Sequence, residues 1–165
     1  MISALVALGV FAGMEAVSYA VHRFMMHGPG FPVHADHHAP PRARVERNDL
    51  YPASFSIVAI ALFAVGTAVP GLRLLVAAGF GMTLYGLAYV YVHEVFVHRR
   101  LPLPRPGWRL LVGLERRHRL HHLYGGEPYG MLLPMVARAL RERGAADERE
   151  PFARAARTRD RRSRL

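Results

Sequence analysis

Three long apolar runs dominate the chain and predict three membrane-spanning helices. Residues 2–21 contain a single charge, Glu15, and are long enough to cross a hydrocarbon core of roughly 30 Å. Residues 53–69 are uncharged, and residues 72–92 carry only Arg73 near their start, where its side chain can reach the membrane interface. The pattern therefore predicts an all-α integral membrane bundle.

The short connection between the second and third runs predicts an antiparallel hairpin. Pro70-Gly71 breaks the helix between them. The third run also offers small surfaces that let membrane helices approach closely, at Gly79, Gly81, Thr83 and Gly86.

The distribution of arginine predicts the orientation in the membrane. All 22 basic residues are Arg, and the formal net charge is +10. Residues 22–50 carry four of them and the residues after His98 carry seventeen, whereas Arg73 alone lies near the opposite end. The positive-inside rule then places both Arg-rich regions in the cytoplasm, with the N-terminus and the Pro70 turn outside. We expect a protein of the cytoplasmic (inner) membrane.

The C-terminal part of the chain is less apolar. The stretch 131–140 is too short to cross a bilayer and predicts a fourth helix that is interfacial or re-entrant. Residues 141–165 have many charges and few apolar anchors, so we expect a mobile tail attracted to anionic lipid. Without interleaved aromatic residues, this tail is a poor nucleic-acid binder. Residues 1–140 would form the membrane domain.

The histidines repeat one spacing twice and predict a metal site. Each half of the chain reads HxxxxH and then HxxHH, with the histidines confined to residues 22–38 and 93–122. The chain has no Cys, so only histidine and carboxylate ligands are available. The ten candidate ligands are His22, His27, His34, His37, His38, His93, His98, His118, His121 and His122.

Helical geometry predicts how these histidines are arranged. Positions i, i+3 and i+4 share one face of a helix, so each HxxHH triplet should aim three imidazoles at one point. The members of an HxxxxH pair lie about 140° apart on a regular α-helix, so they would serve two metals or mark a helix end. All four clusters fall at the cytoplasmic ends of predicted spans or just beyond them. One membrane face thus collects enough nitrogen ligands for two ions.

Other kinds of histidine site fit this pattern less well. A metalloprotease requires HExxH, whereas His93-Glu94 is followed by His98. A haem cytochrome would place facing histidines inside the spans, and a metal transporter would place ligands at mid-membrane and on both sides. Imidazole suits Fe, Zn, Cu and Ni. Two metals beside lipid-accessible helices favour oxidation of a lipidic substrate with O2, with iron as the leading metal.

The order of these motifs resembles the fatty acid hydroxylase superfamily of membrane di-iron enzymes. More narrowly, the chain is similar to bacterial β-carotene 3-hydroxylases over most of residues 13–135. The matching stretches are GME at 13–15, HRFMMHG at 22–28, HADHH at 34–38, NDLY at 48–51, GMTLYGLAYVYVHEVFVH at 81–98 and RRHRLHH at 116–122.

The resemblance implies a histidine-ligated di-iron centre that uses O2 to hydroxylate C3 of β-ionone rings. It implies conversion of β-carotene to β-cryptoxanthin and zeaxanthin, with electrons from NAD(P)H through ferredoxin. An Arg-rich face suits an acidic carrier and equally suits anionic lipid. Two other functions stay open: a fatty-acyl or sterol hydroxylase or desaturase of the same superfamily, and a non-enzymatic membrane metal-binding protein.

Four polar residues are candidates for supporting the metal ligands. Asp36 and Glu94 lie among the histidines, where they would accept imidazole N–H bonds or cap helix ends. Glu15 lies two turns before His22 on the same face, and it would support a ligand, relay protons or tie two helices together. Asn48, in one of the matching stretches, is the fourth candidate.

A stripe of side chains leading to His93 predicts a substrate groove. Tyr89, Gly86, Tyr85 and Met82 precede it by four, seven, eight and eleven residues, so they share its side of the helix. This stripe would line a groove for a polyene. Helix packing would produce the same stripe, and both interpretations stay open.

Overall fold

A computed structural model of the chain describes residues 1–39, 45–135, 138 and 142, and this part is all-helical, as predicted. Its α-helices are α1 (Ile2–Ala20), α2 (Phe31–His34), α3 (Leu50–Ala68), α4 (Leu74–Val90) and α5 (Arg109–Tyr124). Two π-helical turns, π1 (Val21–Met26) and π2 (Tyr91–Val97), continue α1 and α4, and a 3-10 turn (Arg47–Asp49) leads into α3.

Within the described residues, three helices are long and apolar enough to cross a membrane: Ile2–Met26, Arg47–Ala68 and Leu74–Val97. They confirm three long apolar helices where the spans 2–21, 53–69 and 72–92 are predicted, and each continues further at its histidine end through a π or 3-10 turn. Large apolar side chains face outward along them, as expected for helices in contact with lipid, and include Leu8, Ile57 and Leu87.

Glycine allows the helices on both sides of α4 to approach it closely. A Cβ atom on Gly81 would collide with the carbonyl oxygen of Ala7 in α1. A Cβ on Gly66 of α3 would lie 2.8 Å from the backbone nitrogen of Val76. Both α1 and α3 therefore pack on α4 at positions that only glycine fits without a shift. Gly86 differs, because a Cβ added there would have nothing within 4 Å.

The end of the bundle opposite the Pro70 turn is closed by α5. Its buried Leu111 and Leu114 pack against Val92 and Phe96 of π2. The helix ends at Gly125, whose φ of +67° is the left-handed conformation that glycine adopts readily. This packing sets the histidines of α5 against the end of α4.

The segment after α5 returns to α1, and residues 131–135 of the stretch 131–140, predicted as an interfacial helix or a re-entrant piece, are not helical, whereas Arg138 is. There the backbone N–H groups of Leu132 and Leu133 donate to the carboxylate of Glu15, at 3.0 and 2.9 Å. A partly buried carboxylate thus accepts backbone N–H groups of this stretch. The rest of 131–140, apart from Arg138, and the predicted tail 141–165, apart from Glu142, lie outside the described residues.

Candidate metal centre

All ten histidines converge at the end of the bundle where π1 and π2 lie, and most of them form two groups. In each group the ligand nitrogens lie within 4.8 Å of one another. His122 lies between the groups, because its Nε2 is 2.9 Å from that of His118 and its ring stacks on His38. The first histidine group is His22, His27, His34, His38 and His121, and the second histidine group is His37, His93, His98 and His118.

The π turns bring the two members of each HxxxxH pair together. In π1 the N–H of His27 donates to the carbonyl of His22 at 3.0 Å, and in π2 the N–H of His98 donates to that of His93 at 2.8 Å. These i→i+5 bonds place the paired residues one above the other. The expected separation of about 140° holds only for a regular α-helix. Each pair therefore belongs to one group, and HxxxxH is the spacing of a π turn.

The two HxxHH triplets are arranged differently from the prediction, because the middle histidine of each lies in the histidine group of the other half of the chain. His37 joins the second group while His34 and His38 stay in the first, and His121 of α5 joins the first group. The expectation that each triplet aims at one point is wrong. On a helix His121 projects about 60° to one side of His118 and His122 about 40° to the other, so a helix between two sites serves both.

Hydrogen bonds to neutral oxygens orient three imidazoles of the first histidine group. The acceptors are two backbone carbonyls and one side-chain amide. His22 Nδ1 donates to the Tyr129 carbonyl at 2.9 Å, His34 Nδ1 to Asn48 Oδ1 at 2.7 Å, and His121 Nδ1 to the Gly126 carbonyl. Such bonds determine the tautomer and turn Nε2 toward the other ligands.

In the second histidine group, carboxylates accept the Nδ1–H bonds that orient the imidazoles. His37 Nδ1 donates to Glu46 Oε2 at 2.9 Å, and His93 Nδ1 donates to Glu94 Oε1 at 2.6 Å. A carboxylate polarises an imidazole more strongly than a carbonyl does, because the bond is charge-assisted.

The remaining ring nitrogens have the geometry of metal ligands. His22 and His34 Nε2 lie 3.2 Å apart, and His37 and His93 Nε2 lie 3.0 Å apart. With the proton on the Nδ1 atom that donates to an oxygen, the facing Nε2 atoms present lone pairs, which repel one another unless a cation lies among them. Two imidazole nitrogens about 2.1 Å from one ion and at right angles are roughly 3 Å apart. A metal ion fits each group.

Burial favours the neutral, metal-binding form of six of the histidines. Loss of solvation lowers the pKa of His34 to about 4 and that of His121 to about 3. It lowers the pKa of His38 to about 2, with a further contribution from His121. Burial also lowers the pKa of His98, His118 and His122 well below the ordinary value. The site therefore needs little deprotonation before a cation binds.

Three of the predicted supporting residues lie beside the histidines, but only two accept imidazole N–H groups. Asn48 and Glu94 do so, as described above. Asp36 instead accepts the backbone N–H of Arg47 at 2.7 Å, and no described histidine donates to it. Glu46 orients His37 in its place. Sequence reasoning missed Glu46, although the acidic residue three positions later marks it as the start of a helix.

Glu15 has the contacts of a tie between helices. Its carboxylate accepts the hydroxyl of Tyr85 in α4 at 2.8 Å, besides the N–H groups of Leu132 and Leu133. No described histidine contacts it. Of the three roles open for this residue, the structure shows the contacts of the third.

An apolar cavity of about 470 Å³ lies among α1, α3 and α4. Its lining includes Phe55 and Ala59 of α3 and all four residues of the predicted groove: Met82, Tyr85, Gly86 and Tyr89. The ring of Tyr89 also stacks on His93, with centroids 4.8 Å apart and planes 21° apart. Tyr89 thus lies in contact with both the cavity and a residue of the second histidine group.

Comparison with known proteins identifies similar sequences. Residues 7–141 match the fatty acid hydroxylase family. A β-carotene hydroxylase of Pseudescherichia vulneris is 46% identical over 127 residues, which are 75% of this chain and 69% of that protein. One from Pantoea ananas is 37% identical over 155 residues, 87% of this chain and 86% of that protein. A chloroplastic β-carotene 3-hydroxylase of Haematococcus lacustris is 37% identical over 136 residues, which are 78% of this chain and 42% of that protein. No solved structure matches the chain.

Proposed function

The chain belongs to the fatty acid hydroxylase family, a family of oxygenases, and on that premise we propose that it hydroxylates carotenoids at C3 of their β-ionone rings. β-Carotene would become β-cryptoxanthin and then zeaxanthin. The names of the relatives support this substrate, since bacterial proteins up to 46% identical are β-carotene hydroxylases. One oxygen atom enters the C–H bond and the other leaves as water, so the reaction consumes an electron pair.

Each histidine group would hold one iron ion. The first histidine group offers five nitrogens, and the second offers four that His122 completes. When bound, iron supplies the activation of O2 that no side chain of this protein can perform. The residues around it orient the ligands through their Nδ1–H bonds and exclude water, because most of the ligands are buried.

The main structural support for an apolar substrate is the apolar cavity. It is lined mainly by apolar side chains of the spanning helices, and its lining includes Tyr89, whose ring stacks on His93. A ring that enters from the lipid and lies against Tyr89 would be beside the second histidine group. The apolar lining would hold the polyene by close packing and shape, since lipid is as apolar as the cavity.

Electrons would reach the centre from NAD(P)H through a ferredoxin on the cytoplasmic side. Arg116 and Arg119 are exposed on α5, the helix that also carries His118 and His121. A basic surface so close to the centre suits an acidic carrier protein. We place the histidine end in the cytoplasm and the spans in the inner membrane, because the arginines concentrate at this end.

Expression in cells that accumulate β-carotene tests the proposal. We expect β-cryptoxanthin and zeaxanthin with the unaltered chain and only β-carotene with His93→Ala as the matched control. With isotopically labelled O2 the new hydroxyl should carry the label, which separates a hydroxylase from a metal-binding protein without activity. Unchanged carotenoids together with hydroxylated or desaturated fatty acids or sterols would instead show another enzyme of the same family.

A further inference from the structure

Arg100 lies just beyond π2 and contacts both carboxylates that orient ligands of the second histidine group. Its Nη1 is 2.7 Å from Glu94 Oε2 and 3.7 Å from Glu46 Oε2. It also forms two bonds to Asp49, at 2.8 and 2.6 Å. Only 16% of its side chain is exposed. A planar guanidinium can serve several carboxylates in this way, because its donors point in fixed directions.

These contacts join two ligands from different halves of the chain. His93 donates to Glu94, Glu94 accepts from Arg100, and Arg100 faces Glu46, which accepts from His37. The Nε2 atoms of the two histidines then meet at 3.0 Å on the inner side. Arg100 thus sits opposite the proposed metal position, at the point where the two outer chains of contacts meet.

The first histidine group has no matching arrangement among the described residues. Its three orienting acceptors are the carbonyls of Tyr129 and Gly126 and the amide of Asn48, all uncharged. An imidazole that donates to a carboxylate is a stronger base than one that donates to a carbonyl, so it binds a cation more tightly. The two groups therefore offer ligands of unequal strength.

We propose that Arg100 is a positioning residue that makes the two metal positions unequal. By holding Glu46 and Glu94 in place, it causes the ion in the second histidine group to be bound more tightly than the ion in the first. Without its charge, Glu46, Asp49 and Glu94 would repel one another, and two of them would turn away from the histidines. This inference rests on the proposed function, in which both groups hold iron.

The test measures the release of iron from the purified full chain in detergent. The protein is loaded with Fe²⁺ without oxygen and challenged with a chelator, and the remaining iron per chain is followed with time. For the unaltered chain we expect two irons that leave in two phases. In Arg100→Gln the slowly released iron should be held about 10–100-fold less tightly, the usual effect of losing such an outer partner, while the fast phase stays unchanged. The iron release of Arg100→Lys should lie between those of the unaltered chain and Arg100→Gln, because lysine keeps the positive charge but lacks the planar set of guanidinium donors.

Arg99→Gln is the matched control. Arg99 is the neighbouring residue and pairs with Glu115 at 3.2 Å, and no described histidine donates to that carboxylate. This substitution removes the same charge from the same surface and should leave both phases unchanged.

The outcomes separate this inference from the proposed function. An unaltered chain that binds no iron would overturn both. Two irons released in one phase, or an Arg100→Gln profile equal to that of Arg99→Gln, would overturn the inference alone, as would equal weakening of both phases. If Arg100→Gln does not fold, Glu94→Gln replaces it, because it keeps the acceptor and removes the charge. An unchanged slow phase in that variant would overturn the inference equally.

Discussion

The two histidine groups come from the same repeated spacing, yet their surroundings differ. Each contains an HxxxxH pair on a π turn and a histidine contributed by the triplet of the other half. Around the first group the acceptors are carbonyl and amide oxygens, whereas around the second they are two carboxylates that Arg100 contacts. The two groups therefore have the same kind of ligands but differently charged hydrogen-bond acceptors around them.

The difference arises from where the acceptors lie in the chain. The segment after α5 supplies the carbonyls of Gly126 and Tyr129 to the first group. Glu46, before α3, and Glu94, within π2, supply the second. These segments do not share the repeated spacing, so nothing constrains the outer contacts to match as the ligands do. Such asymmetry lets two metal ions with similar ligands have different affinities.

The largest effect is expected from removing the exchanged histidines. His37→Ala should remove the slowly released iron and His121→Ala the rapidly released one, because each serves the group of the other half. Turnover should fall more than about 100-fold in both, since losing even an outer partner costs about 10–100-fold in metal affinity or activity. Iron per chain and carotenoid product measure this, with circular dichroism to verify that the helices remain. Loss of the same iron in both variants would contradict the exchange.

A change at Asn48 should narrow the difference between the groups. Asn48→Asp gives His34 a carboxylate acceptor like those of the second group, so the rapidly released iron should be held about 10-fold more tightly. Asn48→Ala removes the acceptor and should weaken the same iron by about 10–100-fold. Chelator-release rates report both changes, and the slow phase serves as the internal control. Weaker binding in Asn48→Asp, tighter binding in Asn48→Ala, or equal shifts in the two variants would refute the role given to this contact.

A substitution in the cavity should affect the substrate and leave both irons in place. Gly86→Leu has room, because nothing lies within 4 Å of a Cβ there, and its side chain would narrow the cavity. We expect turnover of β-carotene to fall about 10-fold, with both release phases unchanged. Gly81→Leu is the contrasting variant, since it meets the backbone of α1 and should destabilise the fold by about 1–3 kcal/mol. Full activity of Gly86→Leu would argue against this cavity as the substrate site.

The smallest expected effect is the pH dependence of stability in the iron-free chain. The pKa of His34 is lowered to about 4 and that of His121 to about 3, both from an ordinary value of 6.5. Between these values the unfolded chain binds more protons than the folded one, so stability falls as the pH drops from about 6.5 toward 4. Thermal unfolding in detergent measures this, and His34→Gln should show a shallower slope. A chain that becomes more stable over this range would contradict the burial of neutral imidazoles.

Much of the fold could be predicted because hydropathy is a local property. The three spans follow from runs of apolar residues, and the hairpin follows from Pro70-Gly71, where Gly71 has a φ of +86°. Within the predicted stretch 131–140, residues 131–135 are not helical, because the carboxylate of Glu15, more than a hundred residues away in the chain, accepts backbone N–H groups there. No pattern within the stretch itself signals that contact.

For the candidate site, the sequence predicts which histidines take part but not how they are arranged. The histidine spacing identifies all ten residues, but regular α-helical geometry misplaces both the HxxxxH pairs and the triplets. Of the two roles left open for Asp36, its contact with the N–H of Arg47 at the start of the 3-10 turn fits the helix cap, and the acceptor for His37 is Glu46, which the sequence did not point to. Asp36 is nearer to the histidines in sequence, whereas Glu46 is nearer to His37 in space.

The sequence by itself determined the three apolar spans, the histidine-only ligand chemistry of a chain without Cys, and the concentration of arginine at one end. Only the tertiary structure decided which histidines share a group, which oxygens orient them, and that Gly81 is a packing contact while Gly86 borders a cavity. The physical reason is that the first set of properties is local in the sequence, whereas the second depends on contacts between distant residues. Hydropathy and ligand type belong to single residues, but a contact such as that of His27 with His121, at 3.0 Å, depends on how distant helices are rotated against one another.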